Sequence, residues 1–265
     1  MQKLFLAFVS GLLLSGTMQA TWSILAVDGA TGCVAISSAT CVHQRSLDRV
    51  SDNGLMGIQA IVVPGKGIAA CQANGDGSGA SQRFIFDSLQ RGISPKVIMA
   101  TLLQDPNVEG RQFGILDLQG RSSGFSGSRN LNYSLDLQGR VPGTQIYFAI
   151  QGNILASDAV VCEAARAFIQ AKGCLADRVM LAMEAADEQG GDRRCRCYND
   201  RHSLVAYLLL ASPYDTSGSS FNDGSYSIYI DVNGQNILPT ESLNPVKTLR
   251  MRYDSMMRSR KLYEA

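Results

Sequence analysis

TWSILAVDGATGCVAISSAT, residues 21–40, is the stretch that indicates the fold. Residues 21–27 alternate as a β-strand does, DGATG at 28–32 has the composition of a turn, and residues 33–40 are rich in small and β-branched side chains. The stretch therefore predicts two antiparallel strands joined by a loop of about five residues.

The first of these strands has no polar face. Trp22, Ile24 and Ala26 point to one side, while Leu25 and Val27 point to the other. Apolar residues on both faces indicate burial on both faces, as in a sheet that lies between a second sheet and a layer of helices.

The rest of the chain alternates between strands and pairs of helices. Apolar or alternating segments predict strands at residues 57–63, 67–72, 111–118, 122–126, 145–151, 204–211 and 226–232. Helical periodicity predicts helices at 80–91, 158–172 and 175–189, a further helix that opens at Ser94-Pro95, and a basic helical tail from Val246. This order predicts one α+β domain in which stacked antiparallel sheets are covered by helices.

Residues 1–20, MQKLFLAFVSGLLLSGTMQA, have the order of a secretory signal peptide. We expect cleavage after Ala20, which would make Thr21 the first residue of a single domain at 21–265. Met18 stands where a small residue is usual, and cleavage after Thr17 is the alternative. The apolar run at 4–14 is too short for a stable membrane span. We therefore expect the protein to be exported, to the periplasm or the cell exterior.

Charge and cysteine content narrow the class of partner. The chain has 24 basic and 23 acidic residues, and loss of the leader removes only Lys3, so the mature chain is expected to be neutral. A neutral chain lacks the basic surface that a nucleic-acid partner requires. The seven cysteines form no CxxC pair, and only His43 and His202 supply imidazole, so the sequence indicates neither a metal site nor a cofactor. Export would permit one or two disulfides.

Thr21 is the candidate nucleophile if it becomes the first residue. A threonine hydroxyl needs a base, and a chain-terminal threonine carries its own α-amine, with a pKa of about 7.7–8.0. The amine can accept the hydroxyl proton directly or through one water molecule. Because this amine exists only after cleavage of the leader, the active group would form only after export.

The register of the first hairpin decides which side chain lies beside Thr21. If residue 27 pairs with residue 33, Thr21 faces Ala39, and Ser37 is its diagonal neighbour on the same face. This register predicts Ser37 as a catalytic partner. A bulge would turn Ser38 and Thr40 to that face instead.

Several motifs together resemble those of the bacterial family called domain of unknown function 1028. Its members open with a threonine, an alternating strand, an Asp-x-x-Thr-Gly turn and a second strand of small residues, as residues 21–40 do. The likeness continues in IAACQA at 68–73, RQFGILDLQG at 111–120, AIQGNILA at 149–156 and GGDRR at 190–194. This chain departs from the family in an insertion at 41–53, in NGDGSG at 74–79, and in Cys195 and Cys197, which could add a disulfide.

The family is grouped with the N-terminal-nucleophile (Ntn) hydrolases. The resemblance therefore implies a four-layer αββα sandwich with a terminal threonine at the start of an inner strand. It implies catalysis at Thr21 and names no substrate.

Two segments supply further candidates for the site. Asn153 ends a predicted strand before a helix, where its amide could hold the oxyanion formed during amide cleavage or could simply shape the turn. Gln72 and Asn74 are candidates for substrate binding at the same cleft, with a plain turn as the alternative.

GGDRR at 190–194 follows a predicted helix. Arg193 or Arg194 could hold a substrate carboxylate with two parallel hydrogen bonds, and Asp192 could orient an arginine or bind an ammonium group. The alternative is a helix end followed by a structural ion pair.

We therefore predict an exported N-terminal-threonine amidohydrolase that cleaves an amide bond of a small or peptide-like substrate through an ester intermediate, without a cofactor. The alternative is an inactive protein of the same fold that binds a ligand or serves a structural role in the cell envelope. The sequence leaves open whether several copies assemble.

Overall fold

The computed structural model describes residues 21–73, 78–131 and 133–264, with side chains through residue 260. The predicted leader at 1–20 and the candidate Asn74 lie outside the described residues.

Six strands form the larger antiparallel sheet. They are β1 (Thr21–Asp28), β2 (Cys33–Thr40), β7 (Leu135–Arg140), β8 (Ile146–Asn153), β9 (Val205–Ala211) and β10 (Ile228–Asn233). Their order across the sheet is β10-β9-β2-β1-β8-β7, so β1 is an inner strand with β2 on one side and β8 on the other.

Four strands form a second antiparallel sheet, in the order β3-β4-β5-β6. They are β3 (Ala60–Val63), β4 (Gly67–Ala73), β5 (Arg111–Asp117) and β6 (Ser122–Ser126). The inner strands β4 and β5 contact β1 of the larger sheet, and β5 also contacts β8. The two sheets therefore pack against each other beside the strand that begins at Thr21.

Helices connect and cover the strands. They are α1 (Gln44–Leu47), α2 (Gly54–Gln59), α3 (Ala80–Gln90), α4 (Pro95–Leu102), α5 (Ala159–Gln170), α6 (Leu175–Glu188) and α7 (Pro245–Glu264). Short 3₁₀ segments occur at Val108–Gly110 and Arg193–Cys197. Local sequence signals explain several ends: Gly92 follows α3 in the left-handed conformation, and the extended Ser94 precedes Pro95 at the start of α4.

The buried apolar residues form three clusters among the described residues. Trp22 and Ile24 of β1 pack with residues of α5 and α6, such as Phe168. Leu25 and its neighbours on the other face of β1 pack with β3 and β4, and a third cluster joins the second sheet to α3 and α4. Burial of both faces of β1 was the expectation from its sequence, and the structure confirms it, together with the α+β class and the two antiparallel sheets.

The predicted strands and helices are present, with bounds shifted by a few residues. The predicted strand at 57–63 is wrong in its first half, because residues through Gln59 belong to the short helix α2 and the strand begins at Ala60. Strand β7 was not predicted; it is an edge strand in which no residue is buried and which contains Gly139 next to the exposed Arg140. Edge strands bury little surface, so their hydrophobic pattern is weak.

The basic tail is helical, as predicted, and it docks on the larger sheet. Val246, Leu249 and Tyr253 are buried in the cluster that contains Trp22. Arg250 bonds Glu184 of α6, so part of the basic charge of the tail is paired. Within the part of the chain that the structure describes, no helix is long and apolar enough to cross a membrane.

Candidate functional site

Thr21 lies at the first position of an inner strand. It pairs directly with Thr40 of β2 on one side and with Asn153 of β8 on the other. Residues that face each other across antiparallel strands share a face, so these three side chains lie together on the side that packs against the second sheet. In the structure Thr21 is 1% exposed.

Ser37 does not lie beside the side chain of Thr21. The observed register pairs Thr21 with Thr40 and not with Ala39, so Ser37 faces Ile24 and its hydroxyl donates to the carbonyl of Tyr207 at 2.6 Å. A shift of one residue moves every side chain to the opposite face. The predicted placement of Ser37 is therefore wrong, and the set named as the alternative, Ser38 and Thr40, shares the face of Thr21.

The turn of the hairpin explains this register. Asp28 continues β1 by one residue and pairs with Cys33. Its carboxylate accepts a hydrogen bond from the N–H of Ala30 at 2.9 Å, and its carbonyl accepts one from Gly32, which is left-handed with φ of 76°. The aspartate thus tightens the loop to four residues, 29–32, and advances the pairing by one.

Gln72 of β4 crosses from the second sheet to the carbonyl of Thr21. Its Nε2 donates to this carbonyl at 3.3 Å, and its Oε1 accepts from the hydroxyl of Ser23 at 2.8 Å and from Nε2 of Gln59 at 2.6 Å. Gln72 is therefore a buried tether between the two sheets, in contact with the backbone of the candidate nucleophile.

Gln112 of β5 extends this network to Asn153. Its Oε1 accepts from Gln72 and, at 3.0 Å, from Nδ2 of Asn153, and its Nε2 donates to the carbonyl of Gly152 at 2.8 Å and to the hydroxyl of Ser126. One of the two N–H groups of the Asn153 amide is thus already used. Gln59, Gln72, Gln112 and Asn153 are all buried amides, so the network holds the start of β1 in place and contains no titratable base.

Asp192 organises the neighbouring wall of the site. This carboxylate is fully buried, accepts from the N–H of Cys41 at 2.8 Å, and pairs with the guanidinium of Arg194 through bonds of 3.1 and 2.7 Å. Arg194 also donates to Oγ1 of Thr40 at 3.5 Å. Asp192 therefore orients an arginine, one of the two roles considered for it, and places that arginine against the residue that pairs with Thr21.

A disulfide holds the same wall. Cys41 follows β2, Cys195 lies in the 3₁₀ segment, and the two are bridged with Cα atoms 5.7 Å apart. Cys41 is thus joined to the 192–195 segment by two bonds: the disulfide to Cys195 and the hydrogen bond from its N–H to the carboxylate of Asp192. The bridge joins the end of β2 to the segment that carries both candidate arginines.

Arg193 lies beside a cavity that Arg194 also lines, whereas Arg194 is the one that is paired with Asp192. Together with Arg194, Leu131 and Ile154, Arg193 lines this cavity of about 410 Å³. Its N–H donates to the carbonyl of Ile154 at 3.2 Å, and Ile154 directly follows Asn153 in a left-handed conformation with φ of 52°. Positive φ is uncommon for a β-branched residue, and here it turns the chain away from β8 at the mouth of this cavity.

Comparison with protein families gives one match. The model of a family of unknown function, DUF1028, matches residues 21–217, which is most of the chain.

The chain belongs to the DUF1028 family.

The predicted membership is thereby confirmed, and the DUF1028 match begins at Thr21. A solved structure of the same family, protein SPO2555 from Silicibacter pomeroyi, is 20% identical, covers 89% of this chain and 88% of its own, and superposes with a TM-score of 0.65. At that identity the likeness shows the fold alone. No curated protein matches the chain.

The sequence analysis named neither Gln59 nor Gln112, and it named Thr40 only within the alternative register. A signal existed for Gln112, because it is a glutamine beside the apolar positions of a buried strand, where an amide requires buried partners. Thr40 depended on the register. Among the described residues, no group of three or more His, Cys, Asp and Glu side chains is placed to hold a metal.

Proposed function

We propose that this protein is an exported N-terminal-nucleophile amide hydrolase, in which removal of residues 1–20 makes Thr21 the nucleophile. The observation that carries the proposal is the position of Thr21 at the first residue of an inner strand, between Thr40 and Asn153 and facing a second sheet. Two packed antiparallel sheets with helices on their outer faces are what a four-layer αββα Ntn-type sandwich requires. The family match that begins at Thr21 supports the cleavage position.

The chemistry would use the α-amine as the base. Oγ1 of Thr21 attacks the carbonyl carbon of the substrate amide, and its proton passes to the α-amine directly or through one water molecule. The tetrahedral intermediate collapses, the C–N bond breaks, and the leaving amine takes that proton. Water then attacks the resulting ester, again giving its proton to the α-amine, and releases the acid and the free threonine hydroxyl.

The residues around Thr21 are compatible with the α-amine as the base. The amides bonded to its carbonyl and to Asn153 carry no titratable group, so we assign the base to the α-amine of Thr21 itself. The second N–H of Asn153 is the donor we assign to the developing oxyanion, a contact that contributes about 3–4 kcal/mol in known cases. Gln72 and Gln112 would fix the geometry without contacting substrate.

The cavity beside Asn153 is the place we assign to the substrate. Leu131 and Ile154 offer an apolar surface, and Arg193 offers a cation to a carboxylate or carbonyl group of a peptide-like substrate. Arg194 is paired with Asp192, so its proposed task is to hold Thr40 and the rim of the site.

The decisive experiment has two parts. N-terminal sequencing of the exported protein should give Thr21 as the first residue. The purified mature protein is then screened against amides, lactams and short peptides, and any activity found is measured in Thr21→Ala, Thr21→Ser and the control Thr101→Ala, which alters an exposed threonine of α4.

We expect Thr21→Ala to lower kcat/KM by at least about a thousandfold, because it removes the nucleophile, and Thr101→Ala to leave it unchanged. Thr21→Ser should retain part of the activity. Acid quench during turnover should show a mass increase on the N-terminal peptide, as an ester intermediate requires. A Thr21→Ala protein that folds and keeps full turnover would refute the proposal.

The burial of Thr21 favours one rival, a ligand-binding protein without catalysis. Thr21 is 1% exposed as a residue, so its hydroxyl must become accessible in the mature protein before a substrate can reach it. Ligand binding without turnover by a protein shown to begin at Thr21 would support this rival.

A further inference from the structure

A second cavity lies at the same end of the larger sheet but uses other residues. Its volume is about 510 Å³, and its walls come from residues 43–46 after β2, from 198–204 before β9, and from 234–243 between β10 and α7. None of these residues belongs to the Thr21 site described above.

The walls of this cavity are positively charged. Arg45 and Arg201 line it, His43 joins them, and no aspartate or glutamate is among the described residues that form the walls. The other lining side chains include the apolar Leu204, Ile237 and Leu243. A site that combines cationic and aliphatic side chains matches a ligand that has an acidic group and an apolar body.

Arg201 is the strongest indication of a ligand. Its guanidinium lies over the ring of Tyr198, 4.8 Å from the ring centre, which holds the group in one orientation. Its Nε is closed to solvent, so a ligand in the cavity would contact the terminal Nη groups of this guanidinium.

We propose that this cavity binds a small organic anion, with a carboxylate on Arg201 and an apolar body against Leu204, Ile237 and Leu243. Arginine suits this role because its two terminal Nη groups can donate in parallel to the two carboxylate oxygens. Binding here is independent of the chemistry proposed at Thr21.

The test is equilibrium binding of 2-naphthoate to the purified protein by calorimetry at low ionic strength. Its neutral analogue, 2-naphthalenemethanol, has a similar body without the charge. We expect naphthoate to bind, the neutral analogue to bind at least about tenfold more weakly, and Arg201→Gln to lose about tenfold or more in affinity for naphthoate. Thr21→Ala should bind naphthoate as the parent does.

Two further variants separate a lost ligand contact from a damaged fold. Gly234 lines the cavity, and a Cβ at this position would meet no atom within 4 Å. We therefore expect Gly234→Phe to be tolerated at its Cβ, to narrow the cavity and to weaken binding while Arg201 remains. Arg166→Gln removes the same charge from an exposed position on α5 and should leave binding unchanged.

Failure of naphthoate to bind at millimolar concentration would overturn the proposal. So would equal binding by the parent, Arg201→Gln and Gly234→Phe, since the anion would then occupy another place, such as the cavity beside Arg193. A loss of affinity in Thr21→Ala as large as in Arg201→Gln would also contradict it, because the two sites would then not be separate.

Discussion

Replacement of Asp192 by asparagine should destabilise the protein through the wall that supports Thr40. The carboxylate is fully buried and accepts four hydrogen bonds, from the N–H of Cys41 at 2.8 Å, the N–H of Arg194 at 3.0 Å, and the guanidinium of Arg194 at 3.1 and 2.7 Å. Asparagine keeps one acceptor oxygen and turns an NH₂ group toward the donors on the other side.

The magnitude follows from these contacts. Hydrogen bonds to a charged group contribute about 1.5–3 kcal/mol each, and at least one backbone or guanidinium donor loses its acceptor in the variant. The Arg194 side chain is 34% exposed, so water can replace part of what its guanidinium loses. We therefore expect Asp192→Asn to lower the free energy of unfolding by about 3 kcal/mol, toward the lower end of the range for broken buried pairs.

A double-mutant cycle with Arg194→Gln isolates the pair. Urea unfolding of the parent, Asp192→Asn, Arg194→Gln and the double variant, followed by far-UV circular dichroism under non-reducing conditions, gives the coupling energy. Because the two side chains are in direct contact, we expect about 2 kcal/mol of coupling. Arg166→Gln, whose guanidinium pairs with Glu163 on the surface of α5, provides the matched control and should cost less than about 0.5 kcal/mol.

A coupling below about 0.5 kcal/mol would refute the reasoning, since it would mean that Asp192 acts through Cys41 alone or not at all. A loss of less than about 1 kcal/mol for Asp192→Asn would refute it as well, because a fully buried acceptor of four bonds cannot be replaced at so small a cost.

Three further predictions concern stability. Cys195→Ser should lower the free energy of unfolding by about 2–5 kcal/mol, because the Cys41–Cys195 bridge closes a long loop, and thermal melts with and without reductant should show the same loss in the parent. Gln112→Leu should cost about 2–4 kcal/mol in urea unfolding, because several buried amides and a carbonyl lose their partner. Glu241→Gln should reduce the loss of unfolding free energy at acid pH, the acid limb of the stability curve. The hydrogen bonds from Arg252 lower the pKa of Glu241 from its ordinary value of 4.5 to about 2. In the parent, the ionised carboxylate therefore stabilises the fold above pH 4.5, and this stabilisation is lost as the pH falls toward 2. After allowance for solvent screening we expect about 1 kcal/mol between pH 5 and pH 2, measured by melts across that range.

Matched variants check each of these three. Cys162→Ser removes an exposed cysteine outside the disulfide and should leave stability and its response to reductant unchanged. Gln104→Leu alters an exposed glutamine at the end of α4. Glu163→Gln, on α5, should keep the acid limb of the parent. A Gln112→Leu protein as stable as Gln104→Leu, or a Glu241→Gln protein with an unchanged acid limb, would contradict the assigned contacts.

The site was predictable only in part, and the hairpin shows why. Thr21, Asn153 and Gln72 were named from sequence and lie together, because each occupies the end of a strand whose existence follows from local pattern. Ser37 was misplaced because one hydrogen-bonded aspartate, Asp28, shortened the turn by a residue. When the predicted loop length is wrong by one residue, every side chain of the following strand is assigned to the opposite face.

Local periodicity in the sequence determined most strands, most helices and the burial of both faces of β1, because those features depend on neighbours within a few positions. The tertiary structure alone decided that Gln59, Gln72 and Gln112 share one network and that Cys41 bridges Cys195 across 154 positions of sequence. It also decided that Arg194 is paired with Asp192, while both Arg193 and Arg194 line one cavity. These contacts join segments far apart in the chain, so they depend on how sheets and helices pack and leave no periodic trace in the sequence.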